Sequence, residues 1–215
     1  MTSANPSTLA KRLRLYVITD RRMAGQRSDE EIVRAALEGG ATCIQLRAKE
    51  LSTRQQVALG RLLRDLCHRW GRLFIVNDRL DVALAVQADG VHLGADDMPV
   101  AIARQMLGPD AVIGASAEDV AQARRAEQEG ASYLGVGPVF PTATKPDAGP
   151  PIGLDRLAEI ARAVNIPVVA IGGINRDNAP QVLKAGASGV AVISAVVAAP
   201  DPRAATQQLA RAVGL

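Results

Sequence analysis

Aromatic side chains are nearly absent from this 215-residue chain, which has only Trp70, Tyr16, Tyr133, Phe74 and Phe140. So few rings leave little with which to stack bases, so a basic balance of 25 Lys and Arg against 22 Asp and Glu does not argue for nucleic acid. Cysteine is scarce too. Cys43 lies in an apolar strand pattern and Cys67 in a helical one, and the pair fits neither a disulfide framework nor a zinc spacing, so packed, reduced thiols are expected. The longest nearly apolar stretch, 190–199, is about half of the roughly 20 residues that a membrane-spanning helix needs, so no membrane partner is expected. The opening MTSANPSTLAKRLR lacks the apolar region of a secretory signal, and only its Ser, Thr and Arg content speaks for a transit peptide. A cytoplasmic protein is expected, with residues 1–12 a disordered arm.

What is present is a globular composition, 48% apolar and 22% charged, in a length that suits one domain or two small ones. Short runs rich in Val, Ile and Leu alternate with segments of helical period. Continuous apolar strands of this kind belong to parallel sheets covered on both faces. Strands are predicted at 15–19, 42–47, 73–77, 90–93, 111–115, 133–136, 167–171 and 189–193. Helices are predicted at 30–38, 53–70, 79–87, 100–106, 117–128, 154–163, 176–184 and 204–213. Ser52 and Asp97 can accept hydrogen bonds at helix starts, and glycines at 39, 71, 108 and 130 sit where helices should stop. Eight βα units in about 200 residues fit a minimal (β/α)8 TIM barrel over 13–215 better than a doubly wound sheet of five or six strands.

In such barrels the chemistry sits at the carboxyl ends of the strands. There the sequence places Gln45, Arg47 and Lys49, then Asn77 and Asp78, His92, Ser116, the loop from Gly137 to Lys145, Gly172 and Gly173, and Ile193 and Ser194. Cationic Arg47, Lys49 and Lys145, two glycine-rich turns and the carboxylates of Asp78 and Asp97 suit a polyphosphate with a divalent metal. Each has a plainer reading as well. The cations could be rim charges, the aspartates helix N-caps, and the glycines simple turn formers. Asp20, Asp81 and Asp96 are weaker metal candidates, and His92 reads as a packed residue rather than a base. Lys145 lies in PVFPTATKPDAGPP, longer than the usual βα connection of about 2 to 6 residues, which suggests a phosphate-contacting lid. The loops after strands seven and eight form the recurrent phosphate site of these barrels. Nothing in the pattern resembles a nucleophile, histidine and carboxylate triad.

The segments QLRAK, NDRLDVALAVQADGVHLG, YLGVGPVFPTATKPD, PVVAIGGI and GVAVISA together resemble the thiamine phosphate synthase family, nearly end to end. The resemblance implies a transferase that joins a pyrimidine methyl diphosphate to a thiazole ethyl phosphate, or its carboxylated precursor, releasing pyrophosphate through a dissociative carbocation. It implies Gln45, Arg47, Lys49, Asn77, Ser116 and Lys145 around the pyrimidine diphosphate, with Arg47, Lys49, Lys145 and Ser116 serving catalysis. It further implies Thr142, Ala143, Thr144, Gly173, Ile193 and Ser194 at the thiazole phosphate, and one Mg2+ per subunit on Asp78 and Asp97. The partners implied are small phosphorylated molecules, and a homo-oligomer stays open. The family often has a histidine soon after the strand-five serine, where this chain reads Ser116-Ala117-Glu118-Asp119. Two rival expectations are a thiazole tautomerase, which needs no diphosphate machinery, and a silent phosphate-binding regulator. Asp78, Asp97, Arg47 and Lys145 speak against both.

Overall fold

The computed structural model describes residues 6–144 and 149–215. Along the chain run α1 (Pro6–Arg12), β1 (Leu15–Ile18), α2 (Asp29–Glu38), β2 (Cys43–Leu46), α3 (Thr53–Arg69), β3 (Leu73–Asn77), α4 (Leu80–Val86), β4 (Gly90–Leu93) and α5 (Val100–Leu107). Then come β5 (Val112–Ala117), α6 (Val120–Gln128), β6 (Tyr133–Val136), α7 (Gly153–Ala163), β7 (Val168–Ile171), α8 (Ala179–Lys184), β8 (Gly189–Val192), α9 (Ser194–Val197) and α10 (Pro202–Ala212). Each strand pairs in parallel with its neighbours in sequence, and β8 pairs back onto β1. The sheet therefore closes into the expected single-domain (β/α)8 barrel, with no strand edge left open.

Period-two alternation along the strands splits the apolar residues between two packing layers. Val17, Ile44, Val76, Ile113, Leu134, Ala170 and Val190 face outward into one cluster with the helices. Tyr16, Cys43, Ile75, Val112, Tyr133, Val169 and Ala191 face inward and pack inside the barrel. Both cysteines are free and buried, as expected. Burial pushes the Cys67 thiol up to about 12, so it stays protonated and inert.

Four helices, α2, α3, α6 and α10, start on a side-chain cap, of which Ser52 was read from the sequence. Ser52 forms a capping box with Gln55 at the head of α3, and Ser28 forms one with Glu31 at α2. Three expectations need correction. Residues 6–12 of the expected disordered arm form α1, because Leu9 and Leu13 insert into the interior cluster and gain burial that a free arm could not; residues 1–5 lie outside the described residues. The helix predicted from 117 starts only at Val120, since β5 runs on to Ala117 and Asp119 is the N-cap, accepting from the Gln122 backbone at 2.8 Å. Asp97 caps no helix. The cap position of α5 is Pro99, and the Asp97 carboxylate instead accepts from the Gly94 backbone N–H at 2.7 Å.

Candidate active site

A cavity of about 1070 Å³ opens at the carboxyl ends of the strands. Gln45, Arg47, Lys49, Asn77, Asp78, Asp97 and Ser116 line one part of it, and Thr142, Ala143, Thr144, Gly173, Ile193 and Ser194 another. Strand order explains the division, since β2 to β5 supply the first group and β6 to β8 with their loops supply the second. Lys145 and the middle of its expected lid lie outside the described residues.

Arg47 and Lys49 alternate past the end of β2, which turns both toward the cavity. Arg47 is held from below: its Nη1 donates to Asp20 Oδ2 at 2.6 Å. Arg22 grips the same carboxylate with Nε at 3.1 Å and Nη2 at 2.8 Å. Burial alone would push the Asp20 carboxyl up, but hydrogen bonds from Arg22 and the charge of Arg47 outweigh it and hold the group below the usual carboxylate range. Asp20, expected as a weak metal candidate, is thus an ion-pair partner. Asp81 is likewise taken up by Arg79.

Asp78 and Asp97 meet across the neighbouring strands β3 and β4. Asp78 adopts a left-handed backbone with φ of 62°, a conformation that a short polar residue tolerates better than most. It is no N-cap, because α4 begins after Arg79. Burial and the adjacent Asp97 carboxylate push its pKa up, against the pull of Lys49, whose Nζ lies 3.6 Å from Asp78 Oδ2. Two carboxylates forced together at a cavity wall make a donor set with a deficit of positive charge. Among the described residues no group of three or more His, Cys, Asp and Glu side chains converges. A pair of carboxylates suits Mg2+, which keeps waters and phosphate oxygens as its other ligands, better than it suits zinc.

On the opposite side, Thr144 Oγ1 donates to Ser194 Oγ at 3.2 Å and its backbone N–H to Thr142 Oγ1 at 3.2 Å. These bonds bring the loop after β6 to the start of α9, so hydroxyls and the turn at Gly173 surround one space. Gly173 has φ of 65°, and a Cβ there would collide with the backbone of Pro141 and the side chain of Phe140. Turn geometry therefore suffices to require glycine at this position, and the residue type by itself does not report a bound phosphate.

Sequence reasoning missed the polar floor. Gln45 Nε2 donates to the Tyr16 hydroxyl at 2.8 Å, the Tyr16 and Tyr133 hydroxyls are 2.9 Å apart, and the Tyr133 hydroxyl is 3.1 Å from His92 Nδ1. His92 Nε2 is in turn 3.2 Å from Ser116 Oγ. His92 is thus a linked member of the cavity wall and not merely packed. Period-two parity could have found this set, because all five residues occupy inward positions of five different strands.

Comparison with known proteins bears on the family and the fold. The family model described as thiamine monophosphate synthase matches residues 15–196. The chain is 58% identical to a thiamine-phosphate synthase of Roseiflexus sp. (strain RS-1) over 91% of its own length and 83% of the relative's. It is 54% identical to a thiamine-phosphate synthase of Pyrococcus furiosus over 95% of this chain and 97% of that one. A solved structure described as thiamine phosphate pyrophosphorylase from Pyrococcus furiosus superposes with a TM-score of 0.89 at 53% identity, covering 95% of this chain and 97% of the other.

Proposed function

The chain belongs to the thiamine monophosphate synthase family, and from that premise we propose a working site for the reaction it carries out. That reaction is a transfer: a pyrimidine methyl group leaves its diphosphate and is joined to a thiazole ethyl phosphate, giving thiamine phosphate and pyrophosphate. The single observation that carries the site assignment is the division of one cavity. Cations and paired carboxylates lie on β2 to β4, and hydroxyl-bearing loops follow β6 to β8.

In this reading the diphosphate lies against Arg47, Lys49 and Asn77, with Lys145 added by family resemblance. Asp78 and Asp97 would hold one Mg2+ per subunit, which supplies further positive charge to the leaving diphosphate when bound. Gln45 and Ser116 flank the aminopyrimidine. Thr142, Ala143, Thr144, Gly173, Ile193 and Ser194 hold the thiazole phosphate through hydroxyls and backbone donors. No protein nucleophile is required. The carbon–oxygen bond to the diphosphate breaks first, the aminopyrimidine ring delocalises the resulting cation, and the thiazole nitrogen supplies the electron pair of the new bond. Arg47 and Lys49 stabilise the charge that develops on the leaving oxygen, and the cavity aligns two substrates that would otherwise have to meet by diffusion. The enzyme is read as cytoplasmic, and its substrates as small phosphorylated molecules.

The test is a two-substrate assay in which product formation is followed with each component omitted in turn. The expected result is thiamine phosphate and pyrophosphate in equal amounts, only when both substrates and Mg2+ are present. Isomerisation of the thiazole phosphate alone would identify a tautomerase. Binding of either substrate without turnover would identify a silent binder.

A further inference from the structure

The hydrogen bonds across the barrel interior have a direction as well as a pattern. The Gln45 amide nitrogen can only donate, so the Tyr16 oxygen accepts. The single hydroxyl proton of Tyr16 then goes to Tyr133, a stronger acceptor than the neighbouring Cys43 thiol. With the Tyr133 oxygen accepting from Tyr16, its own hydroxyl proton is directed at His92 Nδ1, 3.1 Å away, the sense in which a neutral His92 accepts there. A neutral imidazole with Nδ1 occupied as an acceptor carries its proton on Nε2 and donates it to Ser116 Oγ. The Ser116 hydroxyl proton is left for whatever fills the cavity. We propose that Tyr16 and Tyr133 are positioning residues which fix His92 as the Nε2–H tautomer and thereby commit Ser116 to donate, and Gln45 Oε1 to accept, toward the pyrimidine.

A second observation supports a built arrangement. A Cβ at Gly114 would collide with both His92 and Tyr133, and one at Gly135 would collide with the His92 ring. Two inward positions thus carry no side chain, which leaves the room that the imidazole and the phenol occupy. Both tyrosines are almost fully buried, so each hydroxyl needs a partner inside the barrel. The consequence is selectivity. A ligand with a donor where the amino group lies and an acceptor where a ring nitrogen lies matches this polarity, and a ligand of reversed polarity sets acceptor against acceptor at Gln45 Oε1.

The second half of this inference rests on the reading that Gln45 and Ser116 flank the pyrimidine, and the experiment separates the two. His68 and His92 are the only histidines, so a 15N-histidine spectrum has two ring systems to assign. In the free enzyme His92 should show a bare Nδ1 and a protonated Nε2, their resonances well separated, while Tyr133→Phe draws the two resonances together as both tautomers become populated. Tyr16→Phe, one link further away, should do the same more weakly and guards against a variant that fails to fold. Kinetically, Tyr133→Phe should raise KM for the pyrimidine diphosphate about ten-fold, the size of one positioned hydrogen bond, and leave KM for the thiazole phosphate unchanged. An Nδ1–H tautomer in the free enzyme, or a spectrum unmoved by Tyr133→Phe, overturns the relay. A tautomer shift without any change in KM overturns its role in selectivity. A tautomer shift with KM raised for the thiazole phosphate alone leaves the relay standing and overturns the placement of the pyrimidine.

Discussion

Asp20 is the residue whose role changed most between sequence and structure. As an acidic residue just past β1 it resembles a metal ligand, and although Arg22 lies two positions away, nothing local says that the carboxylate is shared with Arg47. That sharing depends on side chains 27 positions apart, meeting only when the barrel closes. Asp20→Asn should cost about 1–3 kcal/mol of stability at neutral pH, because Asn keeps an acceptor but loses the charge between two guanidinium groups. The pH dependence follows from a lowered pKa. The wild-type advantage is fully present above the ordinary aspartate range and is lost as pH falls through the depressed pKa of folded Asp20. Urea midpoints of both proteins at several pH values check this; a difference that persists at low pH would falsify it. The same variant should raise KM for the pyrimidine diphosphate more than it lowers kcat, since Arg47 is misaimed rather than removed. Asp78 predicts the opposite trade. Asp78→Asn relieves a like-charge pair, and Asn suits a positive φ, so the variant should gain stability on the order of 1 kcal/mol in chelator while losing nearly all turnover. Calorimetry beside the product assay tests it, and loss of both stability and activity would mean that Asp78 is structural.

At the scale of elements, the strands and the cap of α3 were legible because their causes are local. Runs such as LFIVN at β3 are apolar and β-branched enough to be read directly, and Ser52 with Gln55 announces α3. The elements that escaped, α1 and α9, are short, and α9 has no side-chain-capped start. What holds α1 is remote, since Leu9 and Leu13 join Leu73 and Val112, the first residues of β3 and β5, in the interior cluster. Leu9→Ala should therefore cost about 2–4 kcal/mol of unfolding free energy while leaving both KM values near wild type below the melting range. Denaturant titration and steady-state kinetics on one preparation check both halves. An unchanged midpoint would show that α1 merely rests on the barrel. Asp119→Ala is a milder companion, losing about 1 kcal/mol through the cap of α6 with full activity retained.

For the whole molecule, the barrel was readable from the repeat of strand and helix, and so were the residues at its mouth, because a closed parallel barrel sends every strand end to one face. The inner floor was not, since a tyrosine in an apolar strand reads equally well as core until all eight strands are assembled. One cavity with two chemical halves leads to a partition. Thr144→Val should raise KM for the thiazole phosphate alone, and Lys49→Gln for the pyrimidine diphosphate alone, each by about ten-fold or more. Equal effects of either variant on both substrates would mean that the halves are not separate sites. The scarcity of aromatic rings acquires an optical meaning from this architecture. The only tryptophan, Trp70, stands half-exposed at the end of α3 and does not line the cavity, while both tyrosines lie in the cavity floor. Tryptophan emission should thus follow unfolding and ignore substrate. Tyrosine absorption should follow substrate entry, giving two colours that read out stability and occupancy separately in a single unlabelled sample.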